Sequence, residues 1–590
     1  MSRPSRCVVP ASLLVLSCGM LCGLGACSNP LAFDERDTET LASSTRLREI
    51  RTLDLDDFRA PPGQQRGAPG APAVGSAEAG ALTRERIEEA RARFDGMERF
   101  DLTLEEARAS ALSHNLDLRV ALVDPAIAQT SVGEEEGRFD SVFTLSGFWS
   151  ESDQPTATTL EGNQTRNQGI TPGLRVPLRT GGTAEVTFPV SRFATDNQFS
   201  TLPVSINTDV QFSLSHNLLR GAGRRATLQG LRIAEFNRQA TEARTKLEVT
   251  RQLAAVDRAY WRLVAALEAL GVRYQAYEVA VEQLGRAERR AEAGAAAEIE
   301  IVRASSGVAD RVEQIIVAQN SVLLSQRALK RAMNMPGLDV DTDVAIIPVT
   351  DPDPARFDFD RAQLIEASMV NRMELLELEI RLAQDAADIA FQRNQALPLF
   401  ALDYTYRING LGATSGESLD VLGENDFEDW SVGFRGEIPL GNNEAGARVA
   451  RAVLTRLQRL ATREARSQAI EQEVLDAVDQ LSTTYQRILA SREAVLLNTR
   501  ALDAERRQFD VGRSTSTDVL DADARLAEAR LAEIQAVIEY QIAQIDLAFA
   551  TGTLLGAARV TWQPLDPRTG ETASESIRAL PPLSGTLIEP

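Results

Sequence analysis

Residues 249–284 read VTRQLAAVDRAYWRLVAALEALGVRYQAYEVAVEQL, and apolar side chains recur there at alternating steps of four and three. The series comprises Val249, Leu253, Val256, Tyr260, Leu263, Leu267, Leu270, Tyr274, Tyr277, Val281 and Leu284. A spacing of 3.5 residues over about five heptads is typical of a left-handed coiled-coil seam. No proline occurs between residues 224 and 335, so the first helix is predicted to run from about Arg224 to Ala293, roughly 100 Å in length. A helix this long needs other long helices beside it.

The chain contains this stretch twice. Adding 218 to the numbering, without a gap, aligns the following pairs: Gly223 with Gly441, Val256 with Val474, Leu263 with Leu481, Gly294 with Gly512, Ala304 with Ala522 and Leu329 with Leu547. Upstream, Phe100–Asp101 aligns with Phe357–Asp358 at an offset of 257, so the first half carries 39 additional residues between Val142 and Gly223. A single ungapped offset over this length indicates an internal duplication.

The N-terminal segment has the features of an export signal. Arg3 and Arg6 precede an apolar stretch over 8–24, and Leu24-Gly25-Ala26 leads to Cys27. This pattern resembles a bacterial lipoprotein signal, in which the cysteine becomes the lipidated first residue of the mature chain. Ser28, rather than aspartate, follows it, which by the same resemblance indicates outer-membrane sorting. The alternative is an ordinary signal peptide cleaved nearby, and on either interpretation the chain is exported.

Composition argues against several classes of function. The net charge is -21, with both signs mixed along the predicted helices, whereas nucleic-acid binding needs clustered Lys and Arg. All four cysteines lie in the first 27 residues, so we expect no disulfide or cysteine-rich metal site in the mature chain. His114 and His216 lie in different predicted elements, and the sequence has no phosphate loop, zinc spacing or dinucleotide fingerprint. The sequence therefore predicts neither an enzyme nor a bound cofactor or metal.

The rest of the chain alternates between helical and β-type periodicity. Thr103 and Glu106 are predicted to form the capping box of a first helix that ends near Asp124–Pro125, and a second helix continues to about Arg138. The predicted organisation is a signal peptide over 1–26, a flexible tether over 27–97, a first structural repeat over 98–347 with strands at about 139–215 and a long helical hairpin over 224–335, a second repeat over 348–558 with strands at about 399–438 and a hairpin over 442–552, and a Pro-rich tail over 559–590.

The strand-like segments have the length of membrane-spanning strands. Apolar residues alternate with polar ones at Val204, Ile206, Val210, Phe212 and Leu214 and at the even positions of 400–408, and weaker alternation occurs at 139–149 and 430–438. Each run has about ten residues, as in a tilted strand that crosses a bilayer. A one-sided sheet of a soluble protein has the same pattern, but these strands interrupt long helices and nothing nearby would cover the apolar face.

The additional residues of the first half have strand character of their own. They predict a hairpin over about 170–190, and the sequence leaves open whether it joins the other strands.

The strand count requires an oligomer. Four to six strands cannot close a barrel, and an open edge in lipid leaves unpaired backbone groups at several kcal/mol each. Bacterial single-chain barrels have at least about eight strands. Several copies would therefore share one barrel, and their coiled coils would continue it as a helical tube. The predicted fold class is mainly α with a membrane β-barrel part, built from duplicated strand–strand–long-hairpin units.

From about Phe100 to Gly556, the chain resembles a TolC-type outer-membrane efflux protein of the lipoprotein subclass. The resemblance depends on the helix opening Leu104-Glu105-Glu106-Ala107, the duplicated element order, and the segment Phe509-Asp510-Val511-Gly512 followed by Asp518-Val519-Leu520-Asp521-Ala522. It implies a homotrimer with a porin-like barrel in outer-membrane lipid and an α-helical tunnel across the periplasm. The tunnel would stay closed until a periplasmic adaptor (membrane fusion) protein and an inner-membrane RND or ABC pump engage it. Neither the pump nor the exported substrate, whether drug, metal or protein, is indicated.

The same resemblance assigns roles to the hairpin tips. Gly294 and Gly512 would dock the adaptor, and both also fit left-handed helix ends. Asp518 and Asp521 share one helix face, so three copies would form stacked acidic rings that favour cations and raise some of the pKa values by mutual repulsion. A solvated helix start, where aspartate suits the dipole, is the alternative.

Glu300 stands at the position equivalent to Asp518 and would supply an acid to polar links between hairpins. The basic residue that the family places two positions after the tip glycine is absent, because Ser514 stands there and Arg513 precedes it.

Two functions follow from this reading. The first is a passive, lipid-anchored duct in the outer membrane that extends into the periplasm. The second is a periplasmic coiled-coil scaffold lipoprotein without pore activity, in which the strands form a small soluble sheet. The alternating strands and the duplication favour the duct.

Overall fold

The computed structural model describes residues 96–156, 162–294, 297–558 and 560–562, and a short strand at 577–579. The predicted signal peptide with Cys27, the tether and nearly all of the C-terminal tail lie outside the described residues. Among the helices of the described ranges, none is both long and apolar enough to cross a membrane.

The described chain is mostly helical. The helices are α1 (Leu104–His114), α2 (Leu116–Gly137), α3 (Arg224–Thr227), α4 (Gln229–Glu292), α5 (Glu298–Met333), α6 (Arg361–Asn371), α7 (Met373–Gln395), α8 (Ser415–Glu424), α9 (Asn443–Asp510), α10 (Ser516–Ala550) and α11 (Leu554–Ala557). The strands are β1 (Glu98–Leu102), β2 (Val142–Asp153), β3 (Gln164–Leu178), β4 (Gly182–Thr187), β5 (Val190–Thr195), β6 (Val204–Asn217), β7 (Val344–Pro348), β8 (Leu399–Gly412), β9 (Glu428–Glu437), β10 (Val560–Trp562) and β11 (Ile577–Ala579).

Four long helices form one layer in the order α5–α4–α10–α9. Helix α4 packs along its hairpin partner α5 and also along α10, which in turn packs along α9. The predicted seam is confirmed, since Val249, Val256 and Leu263 are fully buried and Leu270 and Leu284 nearly so. Burying this much apolar surface, at about 25 cal/mol per Å², is the main stabilising term of a helix of this length. In the described part of the chain, α5 and α9 are the outer helices of this layer, and α9 also packs along α6 and α7.

The two halves bury equivalent positions, as the predicted duplication would require. At the offset of 218, the buried pairs are Val256 with Val474, Leu263 with Leu481, Ala304 with Ala522 and Leu329 with Leu547. The glycines that precede the two hairpins, Gly223 and Gly441, also share a positive φ, of 84° and 98°.

The first helical pair differs from the prediction at its break point. Thr103 and Glu106 form the predicted capping box, but the helix ends at His114 and the next one passes through Pro125. Asn115 makes the break, because its Oδ1 accepts from the N–H of Leu118 at 2.8 Å. Proline cannot donate to the carbonyl of Ala121, and Thr245 Oγ1 donates to that carbonyl instead, at 3.2 Å. A tertiary contact therefore allows the proline inside the helix.

The second part of the fold is an antiparallel sheet with strands of different lengths, in the order β2–β3–β4–β6–β8–β9, with β5 beside β3 and β6. The predicted hairpin over 170–190 corresponds to β3 and β4, and the structure places it inside the sheet between β2 and β6. Strand β1 pairs in parallel with β7, and this small sheet, which the sequence did not predict, brings the starts of the two halves together. The hydroxyl of Tyr260 donates to Leu102 O at 3.0 Å and accepts from Thr350 N at 3.1 Å, which fixes α4 to that junction.

Candidate functional site

The two hairpins each turn at a glycine. Helix α4 ends at Glu292 with Gly294 at φ 71°, and α9 ends at Asp510 with Gly512 at φ 75°. At the second tip, the N–H of Gly512 donates to Phe509 O at 3.0 Å and the N–H of Arg513 donates to Gln508 O at 2.9 Å. This is a Schellman end, which places the glycine in the left-handed region that side chains with a Cβ avoid. We therefore attribute a structural role to both glycines.

The second tip is capped by side chains. Thr515 Oγ1 accepts from the N–H of Asp518 at 3.3 Å, and Asp518 Oδ2 accepts from the N–H of Thr515 at 2.9 Å and from its hydroxyl at 2.7 Å. Ser514 Oγ lies 3.3 Å from the same carboxylate oxygen and also donates to Glu505. Because the hydrogen bonds from Thr515 stabilise the carboxylate, the pKa of Asp518 is lowered. Within one chain this direction is opposite to the rise expected of repelling acids.

The first tip has no comparable cap. Ala297 is its N-cap residue and makes no side-chain hydrogen bond. Glu300 pairs with Arg303 of its own helix at 3.1 Å, and within the described part of one chain no ion pair joins it to Arg513. The predicted acidic pair, Asp518 and Asp521, is exposed near the start of α10.

Side chains of α4 hold the second tip, and we call Gln283, Arg286 and Arg290 the interhairpin clasp. Gln283 Nε2 donates to Ser516 Oγ at 2.7 Å, and both residues are buried. The Arg290 guanidinium lies 4.8 Å from the centre of the Phe509 ring, a cation–π contact.

Arg286 completes the clasp with two acids. Its guanidinium is 2.7 Å from Glu282 of the same helix and 3.6 Å from Asp510 of the second tip. The clasp therefore joins the lower ends of the two hairpins within one chain.

A buried ion pair lies about two helical turns from the clasp, since Asp523 comes seven residues after Ser516 on α10. Arg311 Nη2 is 3.9 Å from Asp523 Oδ2, and both side chains are nearly inaccessible. Burial raises the pKa of Asp523, and the nearby Arg311 lowers it by a smaller amount. Because this contact joins α5 to α10, any separation of the hairpins would expose it to water.

Sequence reasoning missed the clasp and the Arg311–Asp523 pair, although the duplication carries a signal for both. At the offset of 218, the equivalents of Gln283, Arg286, Arg290, Arg311 and Asp523 are Ala501, Ala504, Gln508, Ala529 and Ser305. These are positions at which one half has a polar or charged residue and the other half has a smaller or uncharged one. Comparing the halves for such differences would have identified them.

The imidazole ring of each histidine lies within hydrogen-bond distance of a protein oxygen. His114 Nδ1 lies 3.2 Å from Ser110 O at the end of α1, and His216 Nε2 lies 3.1 Å from Thr180 Oγ1 beside β6. Such hydrogen bonds satisfy a ring nitrogen and fix the orientation of a histidine that packs in the fold.

The sequence is similar to those of outer-membrane efflux proteins. Residues 364–553 match the family model described as outer membrane efflux protein. The chain is 26% identical to the outer membrane protein TolC of Vibrio cholerae serotype O1 over 326 residues, which cover 54% of this chain and 72% of that protein.

Solved structures share the fold. The CmeC outer membrane channel of Campylobacter jejuni has a TM-score of 0.57 and 17% identity, and the match covers 76% of this chain and 86% of that one. The MtrE outer membrane channel of Neisseria gonorrhoeae, in its open state, has a TM-score of 0.53 and 17% identity over 76% of this chain and 89% of that one.

Proposed function

Since this chain belongs to the TolC-type outer-membrane efflux proteins, we propose that it is the outer-membrane exit duct of a tripartite efflux or secretion system. The family, the mainly helical fold with a β part, and the outer-membrane location predicted from the sequence are confirmed. In this proposal the duct is passive, and energy is supplied by an inner-membrane pump through a periplasmic adaptor.

The observation that carries the proposal is that one chain leaves both of its layers incomplete at both edges. Among the described residues, the sheet ends at β2 and β9, and the outer backbone groups of these two strands have no partner strand there. The helical layer ends at α5 and α9, and these two helices expose large apolar residues, among them Val317 at 65% and Leu489 at 53%. Neither a strand edge in lipid nor an apolar helix face in water is stable alone. Copies arranged in a ring satisfy both.

We propose a homotrimer in which α5 of one copy packs against α9 of the next. Val317 and Leu489 lie at similar distances from their hairpin tips and on opposite edges of one chain's helical layer. The double variant Val317→Cys/Leu489→Cys should therefore form disulfides only between copies, giving a covalent ladder that ends at three chains. Either single variant is the matched control. A ladder that stops at dimers, or no ladder at all, would rule out this arrangement.

We further propose that Asp518 and Asp521 form acidic rings at the lower end of the tunnel. Both are exposed on the first turns of α10, and the hydrogen bonds to Asp518 keep its charge at neutral pH. The variant Asp518→Asn/Asp521→Asn keeps acceptor oxygens for the cap and removes the charge, so cation selectivity in planar bilayers should fall. The matched control Asp117→Asn/Glu134→Gln removes two acids of α2, far from the tips. Equal cation selectivity in the wild type and in both double variants would contradict the acidic rings.

The interhairpin clasp and the tips complete the proposed gate. Gly294 and Gly512 would present the tips to the adaptor, and Val511 beside Gly512 is 70% exposed, a suitable apolar contact. A photoreactive amino acid at Val511 should crosslink to an adaptor protein in cells, whereas one at Val120 of α2, also exposed, should not. Adducts of equal yield at both positions would contradict tip docking.

Lipid anchoring at Cys27 is also part of the proposal. A radiolabelled fatty acid should label the wild-type chain and not Cys27→Ala. Labelling of the variant would contradict the anchor.

A further inference from the structure

We propose that strands β3, β4 and β5 widen the membrane wall, so that three copies close an 18-stranded barrel. The inference rests on the proposed trimer. The second repeat contributes two strands, β8 and β9, that pair with each other. The first repeat contributes β2 and β6 together with the inserted strands, so one chain provides six strand positions, counting the consecutive β4 and β5 as one. Without the insertion, three copies would provide twelve.

The first support is the pairing of the inserted strands. Strand β3 pairs with β2 without interruption from Val142 opposite Arg175 to Asp153 opposite Gln164. Strands β4 and β5 both lie between β3 and β6, interrupted only at Phe188–Pro189. The inserted strands therefore occupy the middle of the sheet and are not folded across its face.

The second support is the register of side chains across all six positions. One row runs through Phe143, Leu174, Val186, Phe212, Tyr406 and Trp430, each opposite the next. Every member is apolar or aromatic, and Phe143 and Trp430 are each 68% exposed. Successive side chains of a strand point to opposite faces, so this row belongs to one face that continues across the insertion.

The opposite face is polar over the same strands. The neighbouring row runs through Thr144, Gly173, Thr187, Gln211, Arg407 and Asp429. Next to it, Arg175 and Glu185 of the insertion pair at 3.3 Å, while Arg407 donates to Gln211 at 2.6 Å. An apolar face outside and a polar face inside is the pattern of a water-filled barrel. Strand β4 and residues 170–178 of β3 carry that pattern as β6 and β8 do, whereas Arg166, Gln168 and Arg192 stand on the apolar side farther along β3 and β5.

The third support is a close fit between β3 and β2. A Cβ at Gly169 would lie 2.7 Å from Phe148 Cε1, and one at Gly173 would lie 2.8 Å from Thr144 Oγ1. Side chains of β2 thus occupy space that only glycine leaves free on β3. Arg166 and Glu151 pair at 2.6 Å near the far end of the same two strands.

The width of the barrel follows from the strand number. With strands about 4.8 Å apart and tilted by about 40°, eighteen strands give a backbone-to-backbone diameter of about 36 Å, and twelve give about 24 Å. The membrane part would then be wide enough for an aqueous channel, as in porins of 16–18 strands. Selection among cargoes would depend on the hairpin tips and not on the exit.

The first experiment asks whether β3 crosses the membrane. Single cysteines replace Leu174 or Arg175 on β3, and Tyr404 or Thr405 on β8 serves as the reference pair. A membrane-impermeant maleimide added to intact cells should label Arg175→Cys and Thr405→Cys several-fold more than Leu174→Cys and Tyr404→Cys. If the labelling alternates between neighbouring positions on β8 but not on β3, the wider barrel is overturned and the proposed duct is unaffected. No alternation on either strand would count against the duct itself.

The second experiment counts the strands. Single-particle electron microscopy of the full chain should show eighteen strands around three copies. A variant lacking residues 164–195 rejoins β2 to β6 at the same end of the sheet and with the same faces paired, and it should show twelve. Twelve strands in the full chain, with the insertion outside the wall, would overturn the inference. Two copies sharing twelve strands would contradict both it and the proposed trimer.

Discussion

The two repeats agree in what they bury and differ in the polar residues that join their elements. In the first repeat, Arg108 of α1 reaches Asp257 of α4 with two bonds of 2.7 and 2.8 Å, and the carboxylate is fully buried. At the offsets of 257 and 218, the equivalents are Ile365 and Leu475, both partly buried. One repeat therefore has an ion pair where the other has two partly buried apolar residues. The apolar positions that both repeats bury therefore account for their common fold. The polar contacts differ from one repeat to the other.

Breaking this ion pair should have the largest effect. Arg108→Ala leaves a buried carboxylate without its partner, which we expect to lower the free energy of unfolding by about 3–5 kcal/mol. The double variant Arg108→Ile/Asp257→Leu copies the second repeat and should lie within about 1 kcal/mol of wild type or be more stable. Denaturant unfolding of the purified protein measures both. A double variant as unstable as the single one would show that the two repeats are not interchangeable at this position.

The shared seam should respond equally in both repeats. Leu263 and Leu481 are equivalent and buried, so Leu263→Ala and Leu481→Ala should each cost about 2–5 kcal/mol through lost burial and a residual cavity. Leu324 lies on the exposed face of α5, so Leu324→Ala is the control. It should change the stability of a single chain little, and any larger cost would come from packing between copies. If the costs at 263 and 481 differed by more than twofold, the two seams would not be equivalent in packing.

The tips should respond in opposite directions. Thr515→Ala removes the side-chain cap of α10 and should cost about 0.5–2 kcal/mol. Ala297→Thr supplies a cap to α5 with Glu300 already three residues later, as in a capping box, and should stabilise the first tip by about 1 kcal/mol. Hydrogen exchange of the first-turn amides measures each tip separately. Unchanged protection in Ala297→Thr would indicate that Arg303 holds Glu300 away from the cap.

The smallest effect concerns pH and only the second tip. Since the pKa of Asp518 is lower in the folded chain than its usual value near 4, the cap contributes fully above about pH 4. The contribution of the cap to stability begins to fall below about pH 4. It is lost once the pH has passed through the lowered pKa of Asp518. We expect exchange at Asp518 and its neighbours to accelerate as the pH falls below about 4 in wild type, and to be independent of pH in that range in Asp518→Asn once the intrinsic rate is corrected. Equal acceleration in both proteins would assign the effect elsewhere.

The helical framework could be predicted from the sequence because the apolar residues that recur with the helical period are the ones that the structure buries. Val249, Val256 and Leu263 are buried as their spacing indicates, and the even positions of β6 and β8 lie on one face. The continuation of α2 through Pro125 could not be predicted, because it depends on Thr245, which is distant in the chain and donates to the carbonyl that Pro125 leaves free. Local patterns specify the elements, while such exceptions depend on tertiary contacts.

The candidate site was predictable only in part. The glycine tips and the capping motif Thr515-x-x-Asp518 are local, and the structure contains both. The interhairpin clasp joins residues more than 200 positions apart, as in the bond between Gln283 and Ser516. No spacing rule connects such residues, so only the packing of α4 against α10 identifies them. The acidic rings and the docking of an adaptor stay predictions because they need copies and partners beyond one chain.

The most direct test of a gated duct is single-channel conductance in planar bilayers. The purified wild-type protein should insert and conduct weakly, because the clasp holds the hairpin tips together. Arg286→Ala/Arg290→Ala removes the contacts to Asp510 and Phe509 and should raise the conductance several-fold. Arg224→Ala/Arg225→Ala, at the other end of the helices, should behave as wild type. If neither the wild type nor the clasp variant conducts, and both behave as water-soluble oligomers, the duct is contradicted and the scaffold is favoured.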